Sequence, residues 1–229
     1  MEHADFLAPG LALIFDMDGV IVDSMPVHTF AWERYMESLG LPCDNIAVRM
    51  HGRRNDEIVA EFIGTHLPAE EVFRHGAAKE ALYRDLIRPE IDSRLVPGVI
   101  EFIKRYAGAP LAVASNAEPA NVEFILDAAG LRRFFRALVD GMQVDRPKPE
   151  PDVYLRAAEL LGVEPGNCII FEDSPAGVTA ARAAGGRVVG VETHAPLEGV
   201  DFRIRDFTNP ALPEWLRTQE PLTRPKLES

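Results

Sequence analysis

The sequence has few cysteines, no long apolar segment and no secretory signal pattern. Its two cysteines, Cys43 and Cys168, form no CxxC pair, which argues against a disulfide framework or a zinc site and favours a reducing cytosol. No apolar stretch approaches the ~18 residues that span a bilayer, and the initial MEHADFLAPG carries acids where a signal peptide would be positively charged. We therefore expect a soluble cytoplasmic protein.

Basic residues are also scarce. The chain has 24 Lys and Arg against 36 Asp and Glu, a formal net charge of −12, and no Lys/Arg-rich block offsets the acids. Nucleic acid and membrane surfaces are therefore not expected partners, because both attract clustered positive charge. The 229 residues, 47% of them hydrophobic, can bury the core of one large domain or of one domain with an insertion. We expect a monomer.

Short apolar runs alternate with helical patterns along most of the chain. Five runs are too short for helices and predict buried strands: residues 11–15, 110–115, 136–140, 167–171 and 187–191. Amphipathic stretches lie between the later runs, and each ends at a glycine, where helices commonly stop: residues 121–130, 151–162 and 175–185. This alternation predicts an α/β fold with a doubly wound parallel sheet.

The span from residue 24 to residue 94 differs, because it shows helical periodicity and no convincing strand. One predicted helix has a single apolar face made of Trp32, Tyr35, Met36 and Leu39. The span is far longer than one crossover between strands needs. We therefore predict a helical cap domain, residues 24–94, inserted after the first strand of a core domain formed by residues 1–23 and 95–229.

Polar and charged residues follow the predicted strands. In an open α/β sheet, ligands bind beyond the carboxyl ends of the strands. The residues expected at that edge are Asp16, Asp18, Ser115, Asn116, Lys148, Glu172 and Asp173. Four carboxylates this close cannot all stay ionised without a cation, and an all-oxygen ligand set suits Mg²⁺.

This edge suggests phosphoryl transfer. One aspartate could attack phosphorus, and a second, two residues further on, could protonate the leaving oxygen. Gly19 would permit the sharp turn that brings both side chains together. Simpler roles exist for single residues: Ser115 could cap a helix, Lys148 could be a solvated loop lysine, and Glu172 could belong to an acidic turn at a helix N-terminus. The joint occurrence favours a site.

A non-enzymatic phospho-acceptor, similar to a response-regulator receiver, is an alternative of another class. Such domains also place acids, a hydroxyl and a lysine at strand ends. They are about half this length, carry no helical insertion, and lack a general acid two residues after the acceptor. Asp18 is therefore the residue that separates the two hypotheses.

Four short motifs resemble, in order, those of the haloacid dehalogenase superfamily. They are Asp16-Met-Asp18-Gly-Val, Ser115-Asn116, Lys148-Pro149 and Glu172-Asp173-Ser174, and the similarity spans about residues 11 to 217. The resemblance implies a Rossmann-like core with a small helical cap. It implies Asp16 as nucleophile, Asp18 as acid and base, and phosphate ligands among Ser115, Asn116 and Lys148. It also implies Mg²⁺ held by Asp16, the Asp18 carbonyl and Asp173, with Glu172 nearby or ligating.

Within that superfamily the sequence is most similar to the β-phosphoglucomutase-like subgroup. His28 lies twelve residues after Asp16, and Lys79 and Tyr83 match the Lys-x-x-x-Tyr spacing of those mutases. The resemblance implies that His28 and Lys79 belong to a cap that covers a hydroxylated, anionic substrate. Arg53 and Arg54 could reach a distal phosphate through a bidentate contact. Trp32 and Tyr83 have the alternative role of cap core.

Two departures argue against a mutase. Arg53 and Arg54 lie slightly before the position where those mutases carry an arginine. Glu118 stands where those mutases carry a lysine that grips the second phosphate, and a carboxylate would repel that group. We therefore predict a Mg²⁺-dependent phosphatase acting on small phosphorylated metabolites, sugar phosphates in particular. The alternative is a β-phosphoglucomutase that interconverts β-glucose 1-phosphate and glucose 6-phosphate.

Overall fold

The structure is a computed structural model that describes residues 7–50 and 53–222. These residues form two compact units. One contains the described residues up to Val22 and from Leu95 onward, and the other is Asp23–Arg94. The first division falls one residue before the predicted domain boundary. Residues 1–6, from the segment we considered for a targeting signal, lie outside the described residues, as do His51 and Gly52.

The first unit is built on a parallel β-sheet. Its strands are β1 Ala12–Phe15, β2 Leu111–Ala114, β3 Ala137–Val139, β4 Cys168–Glu172, β5 Arg187–Val191 and β6 Phe202–Ile204. Their order across the sheet is β3-β2-β1-β4-β5-β6, and every pairing is parallel. The predicted doubly wound parallel sheet is confirmed, and β6 is a strand that the apolar pattern did not predict.

The α-helices, in chain order, are α1 Met25–Ser38, α2 Ile46–Arg49, α3 Asn55–Phe62, α4 Ala69–Ile87, α5 Ile91–Arg94, α6 Val99–Arg105, α7 Pro119–Ala128, α8 Asp152–Leu161, α9 Pro175–Ala183 and α10 Ala211–Arg217. Helices α1 to α5 belong to the Asp23–Arg94 unit. None of the helices described here has the length and apolar character needed to cross a bilayer.

The two faces of the sheet bury different side chains, because successive residues of a strand point to opposite sides. On one face, small and branched side chains of β1 and β2, including Ala12, Ile14 and Ala112, join a buried cluster with residues of α8 and α9. On the other face, the Phe15 ring stacks on Phe171 with centroids 4.7 Å apart. Burial of both faces explains why the strands lack polar alternation.

The helical unit has its own apolar core. Trp32 and Met36 of α1 pack with Ile46, Ile58 and Val59 from the following helices, and each is buried. Trp32 therefore has the packing role that the sequence left open.

One predicted member of the buried face of α1 is wrong. Leu39 is 40% exposed, because α1 ends at Ser38 and Leu39 is already its C-cap residue. The helical periodicity does not extend that far.

The chain leaves and rejoins the sheet-containing unit at neighbouring points. The backbone N–H of Asp23 donates to the carbonyl of Arg94 at 2.7 Å. One residue outward, Val22 and Leu95 form an isolated antiparallel bridge. The two ends of the inserted segment thus lie side by side.

Candidate active site

Strand order places the first acidic motif beside the last one. The chain builds β1, β2 and β3 outward in one direction, then returns to add β4 on the other side of β1. Such a reversal leaves a crevice at the carboxyl ends of the two central strands. Phe15 pairs in register with Phe171, and the Asp16 N–H donates to the Phe171 carbonyl at 3.0 Å. Asp16 and Glu172 therefore leave the sheet next to each other.

A tight loop follows Asp16 and depends on glycine. Gly19 has φ +79°, a conformation that side chains rarely adopt, and a Cβ there would overlap the carboxylate of Asp173. The Gly19 N–H donates to the Val22 carbonyl at 2.8 Å, and the Thr193 hydroxyl donates to the Gly19 carbonyl at 2.9 Å. The turn expected at Gly19 is present, and it lets the first and last acidic motifs approach closely.

Lys148 lies between two carboxylates. Its Nζ donates to Asp16 Oδ1 at 2.8 Å, to Glu172 Oε1 at 2.6 Å and to the Ala114 carbonyl at 3.2 Å, and the residue is 8% exposed. Burial lowers the pKa of this ammonium, but the two carboxylates outweigh burial and raise the pKa above its usual value. The hypothesis of a solvated loop lysine is therefore wrong.

Glu172 is held by hydrogen bonds on both of its oxygens. Besides Lys148, Oε1 accepts from the Tyr154 hydroxyl at 2.5 Å. Oε2 accepts from the backbone N–H groups of Asp173 and Ser174 at 3.0 and 3.1 Å and from the Ser174 hydroxyl at 3.0 Å. A Cβ on Gly177 would overlap this carboxylate. The Glu172 carboxylate is therefore fully buried and hydrogen-bonded through both of its oxygens.

Three carboxylates come close enough to share a cation. Among the described residues, Asp16, Glu172 and Asp173 each offer an oxygen within 4.8 Å of the others. Burial, reinforced by the neighbouring carboxylates, raises the pKa of Asp16 to about 7 and that of Asp173 to about 9. With Lys148 as counter-charge, two negative charges remain, which a divalent cation would balance. Oxygen-only donors in a desolvated, acidic setting fit Mg²⁺.

Asp18 lies at the same edge but is less enclosed. It is half-buried, and its carboxylate is not one of the three clustered ones. Its charge is nevertheless close enough to help raise the pKa of Asp16, after the larger effects of burial and Glu172. Asp18 is thus near the nucleophile candidate and is partly exposed to solvent.

Ser115 and Asn116 approach the lysine from β2. Ser115 is buried, and its Oγ accepts from the Ala117 N–H at 3.1 Å. The N-cap of α7 is Glu118, so the hypothesis that Ser115 caps this helix is wrong. Asn116 Oδ1 accepts from the backbone N–H of Lys148 at 3.2 Å. Both predicted phosphate ligands therefore lie beside the segment that carries Lys148.

The helical unit brings two of its predicted site residues together. Lys79 Nζ lies 2.8 Å from His28 Nδ1 and donates to Glu80 Oε1 at 2.8 Å. Asn55 donates to the same Glu80 oxygen at 2.7 Å. The His28 ring stacks on Tyr83, with centroids 3.7 Å apart. Burial raises the pKa of Glu80, but Lys79 and His28 outweigh it and lower that pKa to about 2.

The two predicted cap arginines are paired with acids of α3. The Arg53 guanidinium bonds to Glu61, and its Nε lies 3.3 Å from Glu57 Oε2. Arg54 Nε lies 3.5 Å from Asp56 Oδ1. Both arginines therefore pair with acids of the same unit, while their side chains remain 33% and 44% exposed.

Sequence reasoning missed several residues that build the site. Tyr154, Gly177 and Glu80 contact site residues through the folded chain, and no local pattern identifies them. Ser174, a member of the fourth motif, has a further role: its Oγ caps α9 by accepting from the Gly177 N–H. Serine followed by Pro175 is a recognisable helix start, so this role was available from the sequence.

Comparison with known proteins identifies the family. A family model for haloacid dehalogenase-like hydrolases matches residues 11–185. The chain belongs to this family. This hydrolase is 35% identical over 182 residues to the fructose-1-phosphate phosphatase YqaB of Escherichia coli K12, covering 78% of the chain and 95% of that protein. It is 30% identical over 205 residues to β-phosphoglucomutase of Bacillus subtilis, covering 86% and 90%.

A solved structure supports the fold assignment. The crystal structure of β-phosphoglucomutase from Clostridium difficile superposes with a TM-score of 0.77 at 24% identity, covering 90% of this hydrolase and 95% of that chain. The predicted family, β-phosphoglucomutase-like subgroup and fold are confirmed, and the protein is an enzyme. The alternative of a non-enzymatic receiver-like module is therefore wrong.

Proposed function

We propose that this hydrolase is a Mg²⁺-dependent phosphatase of small phosphorylated metabolites, with sugar phosphates as the substrate class. The observation that carries the proposal is Lys148, whose Nζ lies 2.8 Å from Asp16 Oδ1 and 2.6 Å from Glu172 Oε1. A buried ammonium beside a carboxylate nucleophile suits an incoming phosphoryl group, whose oxygens it would attract.

Asp16 is the proposed nucleophile. One of its carboxylate oxygens attacks phosphorus and forms a P–O bond, while the bond from phosphorus to the substrate oxygen breaks. Asp18 gives its proton to that leaving oxygen. Water then attacks the aspartyl-phosphate, Asp18 takes the proton of the water, and inorganic phosphate leaves with Asp16 regenerated. The half-buried position of Asp18 supports this proton exchange.

Lys148, Ser115 and Asn116 are the proposed phosphate ligands. A unit charge about 4 Å from the phosphoryl group contributes roughly 4 kcal/mol at an effective dielectric near 20. That is several powers of ten in rate if the interaction strengthens as charge shifts in the transition state. Ser115 and Asn116 are neighbours on the loop after β2, and Asn116 Oδ1 accepts from the backbone N–H of Lys148. Ser115, Asn116 and Lys148 would therefore act on the same phosphoryl group.

Asp16, the Asp18 carbonyl and Asp173 are the proposed Mg²⁺ ligands. When bound, Mg²⁺ would balance the crowded carboxylates and draw charge from the phosphoryl oxygens. Both oxygens of Glu172 already accept hydrogen bonds. Its proposed role is therefore to anchor Lys148 and the start of α9 rather than to bind the ion.

The test is phosphate release from a panel of sugar phosphates, with and without Mg²⁺. We expect Mg²⁺-dependent hydrolysis of at least one sugar phosphate, and its loss in Asp16→Asn. Asp140→Asn is the matched control, because Asp140 is a buried carboxylate directly after β3 and lies outside the cluster of three. This variant should retain activity. Absence of release from every sugar phosphate, or full activity in Asp16→Asn, would contradict the proposal.

Asp18 has a separate test. Asp18→Asn should lower kcat by about 100-fold or more, because general acid–base help is worth ~10²–10⁴. Full turnover in this variant would show that the proton travels by another route.

A mutase remains the second candidate, supported by the identity with β-phosphoglucomutase of B. subtilis and by the His28–Lys79 pair. Against it stand Glu118 at the start of α7 and the acid-paired Arg53. Conversion of β-glucose 1-phosphate to the 6-phosphate, stimulated by the 1,6-bisphosphate and faster than hydrolysis, would reverse the ranking. Glu118→Lys should increase any such stimulation.

The helical unit is proposed to act as a substrate-covering cap, with His28 and Lys79 contributing to recognition. The substitution His28→Ala should then raise KM for sugar phosphates more than for a small aryl phosphate. The monomeric state and the cytoplasmic location stay predictions, which gel filtration and cell fractionation would test.

A further inference from the structure

Tyr154 has a hydroxyl group whose position packing does not explain. The residue lies in the first turn of α8, is 1% exposed, and belongs to the small-residue cluster that includes Ala12, Ile14 and Ala157. A phenylalanine would fill this apolar surrounding equally well, and a buried hydroxyl is costly unless it is hydrogen-bonded. The hydroxyl must therefore be accounted for by a polar partner.

That partner is Glu172. The Tyr154 hydroxyl lies 2.5 Å from Glu172 Oε1, and an ionised carboxylate only accepts, so the phenol donates. The same oxygen accepts from Lys148 at 2.6 Å. The Tyr154 ring also lies under the ammonium, with Lys148 Nζ 4.8 Å from the ring centroid. One side chain thus touches both members of the buried ion pair.

The two donors on this oxygen compete for it. Lys148 divides its hydrogen bonds between Glu172 and Asp16. While Tyr154 satisfies part of Oε1, the lysine is less strongly drawn to Glu172. Without the phenol, Lys148 would be the remaining donor described on Oε1 and would move toward it, away from Asp16. Oε2 cannot compensate, because Asp173 and Ser174 hold it in place.

We infer that Tyr154 is a positioning residue, whose hydroxyl fixes Glu172 and thereby keeps Lys148 within reach of the phosphoryl group at Asp16. The inference rests on the proposed function, in which Lys148 acts on that group. It assigns no direct contact between Tyr154 and the substrate.

The primary test is Tyr154→Phe, with Tyr106→Phe as matched control. Tyr106 is another buried tyrosine of the same unit, and its ring packs on Phe102. We expect Tyr154→Phe to lower kcat about tenfold, the scale of one hydrogen bond to a charged group, while KM and the melting temperature change little. Tyr106→Phe should leave kcat unchanged. A kcat for Tyr154→Phe within about twofold of wild type would overturn the inference.

A double-mutant cycle separates positioning from packing. If Tyr154 acts through Glu172, adding Tyr154→Phe to Glu172→Gln should change kcat by less than about twofold, because the acceptor is already altered. An equal loss in both backgrounds would mean that the phenol acts independently of Glu172, which contradicts the inference.

A crystal structure of Tyr154→Phe gives a readout that needs no activity. The distance from Lys148 Nζ to Asp16 Oδ1, 2.8 Å here, should lengthen, with the ammonium shifted toward Glu172. An unchanged lysine would refute the inference even if the wild-type enzyme proved inactive on sugar phosphates. Such inactivity, with the lysine shifted as expected, would instead refute only the proposed function.

Discussion

Replacing Lys148 with methionine should destabilise the metal-free protein in a pH-dependent way. The substitution keeps the length of the apolar stem and removes the charge that Asp16 and Glu172 share. Two buried carboxylates would then face each other without a cation. We expect the free energy of unfolding to fall by about 3–5 kcal/mol at about pH 8.5, the range found when one member of a buried pair is removed.

The structure shows why the loss should be large yet smaller than the raw attraction. Nitrogen–oxygen distances of 2.8 and 2.6 Å correspond to about 6 kcal/mol for each pair at an effective dielectric near 20. Much of that attraction offsets the cost of burying the ammonium, since burial is the largest influence on the pKa of Lys148 and acts against the charged form.

The pH dependence follows from Asp16. Burial already raises its pKa to about 7 with Lys148 present, and removing the ammonium raises it further. A folded-state pKa above the unfolded one means that the folded protein gains stability as pH falls and the carboxyl takes up a proton. The deficit of Lys148→Met should therefore be clearly smaller at about pH 5.5 than at about pH 8.5.

Urea unfolding in EDTA at both pH values measures the deficit, and Lys104→Met is the control. Lys104 lies exposed in the last turn of α6, so the same substitution should change stability by less than about 1 kcal/mol at either pH. A deficit for Lys148→Met below 1 kcal/mol at about pH 8.5, or one independent of pH, would refute the role of Lys148 as the buried counter-ion.

Three further predictions concern the cluster and the helical unit. Saturating Mg²⁺ should raise the melting temperature more at about pH 8.5 than at about pH 6. The reason is that burial raises the pKa of Asp16 and Asp173, so the ion must displace their protons at the lower pH. An equal rise at both pH values would argue against these two residues as ligands. Gly177→Ala should abolish activity and lower the free energy of unfolding by more than about 2 kcal/mol, the scale of overpacking, because the added Cβ would overlap the Glu172 carboxylate. Gly108→Ala is the control and should change neither, because nothing lies within 4 Å of a Cβ there. Glu80→Gln should cost roughly 2–3 kcal/mol at neutral pH, because the lowered pKa of Glu80 stabilises the fold above the unfolded value. The cost should shrink as pH falls from about 4.5 toward 2, and urea unfolding at about pH 7 and about pH 3 decides this.

The central strands and their terminal acids could be predicted because both depend on local sequence. A run such as residues 167–171 is apolar on both faces, and whatever follows it must emerge at the carboxyl edge of the sheet. The edge strand β6 was not predicted, because Phe202–Ile204 has only three residues, with an arginine in the middle. Such a short, mixed segment carries too little periodicity to identify.

Contacts between residues far apart in the chain could not be predicted from the sequence. Tyr154 lies among apolar residues of an amphipathic helix, so its packing role hides the hydroxyl that reaches a strand 18 residues away. Glu80 was overlooked because it follows Lys79 directly, and neighbours along a helix do not usually face each other. The position of the Glu80 carboxylate depends on contacts made in the folded unit, where Asn55 donates to it and His28 Nδ1 lies 3.8 Å from it.

The paired ends of the inserted segment, held by the bond from Asp23 to Arg94, make that segment separable. A short turn could join the two flanking residues without stretching the sheet beneath them. Helical inserts of other lengths could therefore be exchanged between Val22 and Leu95 without altering the strands of the sheet.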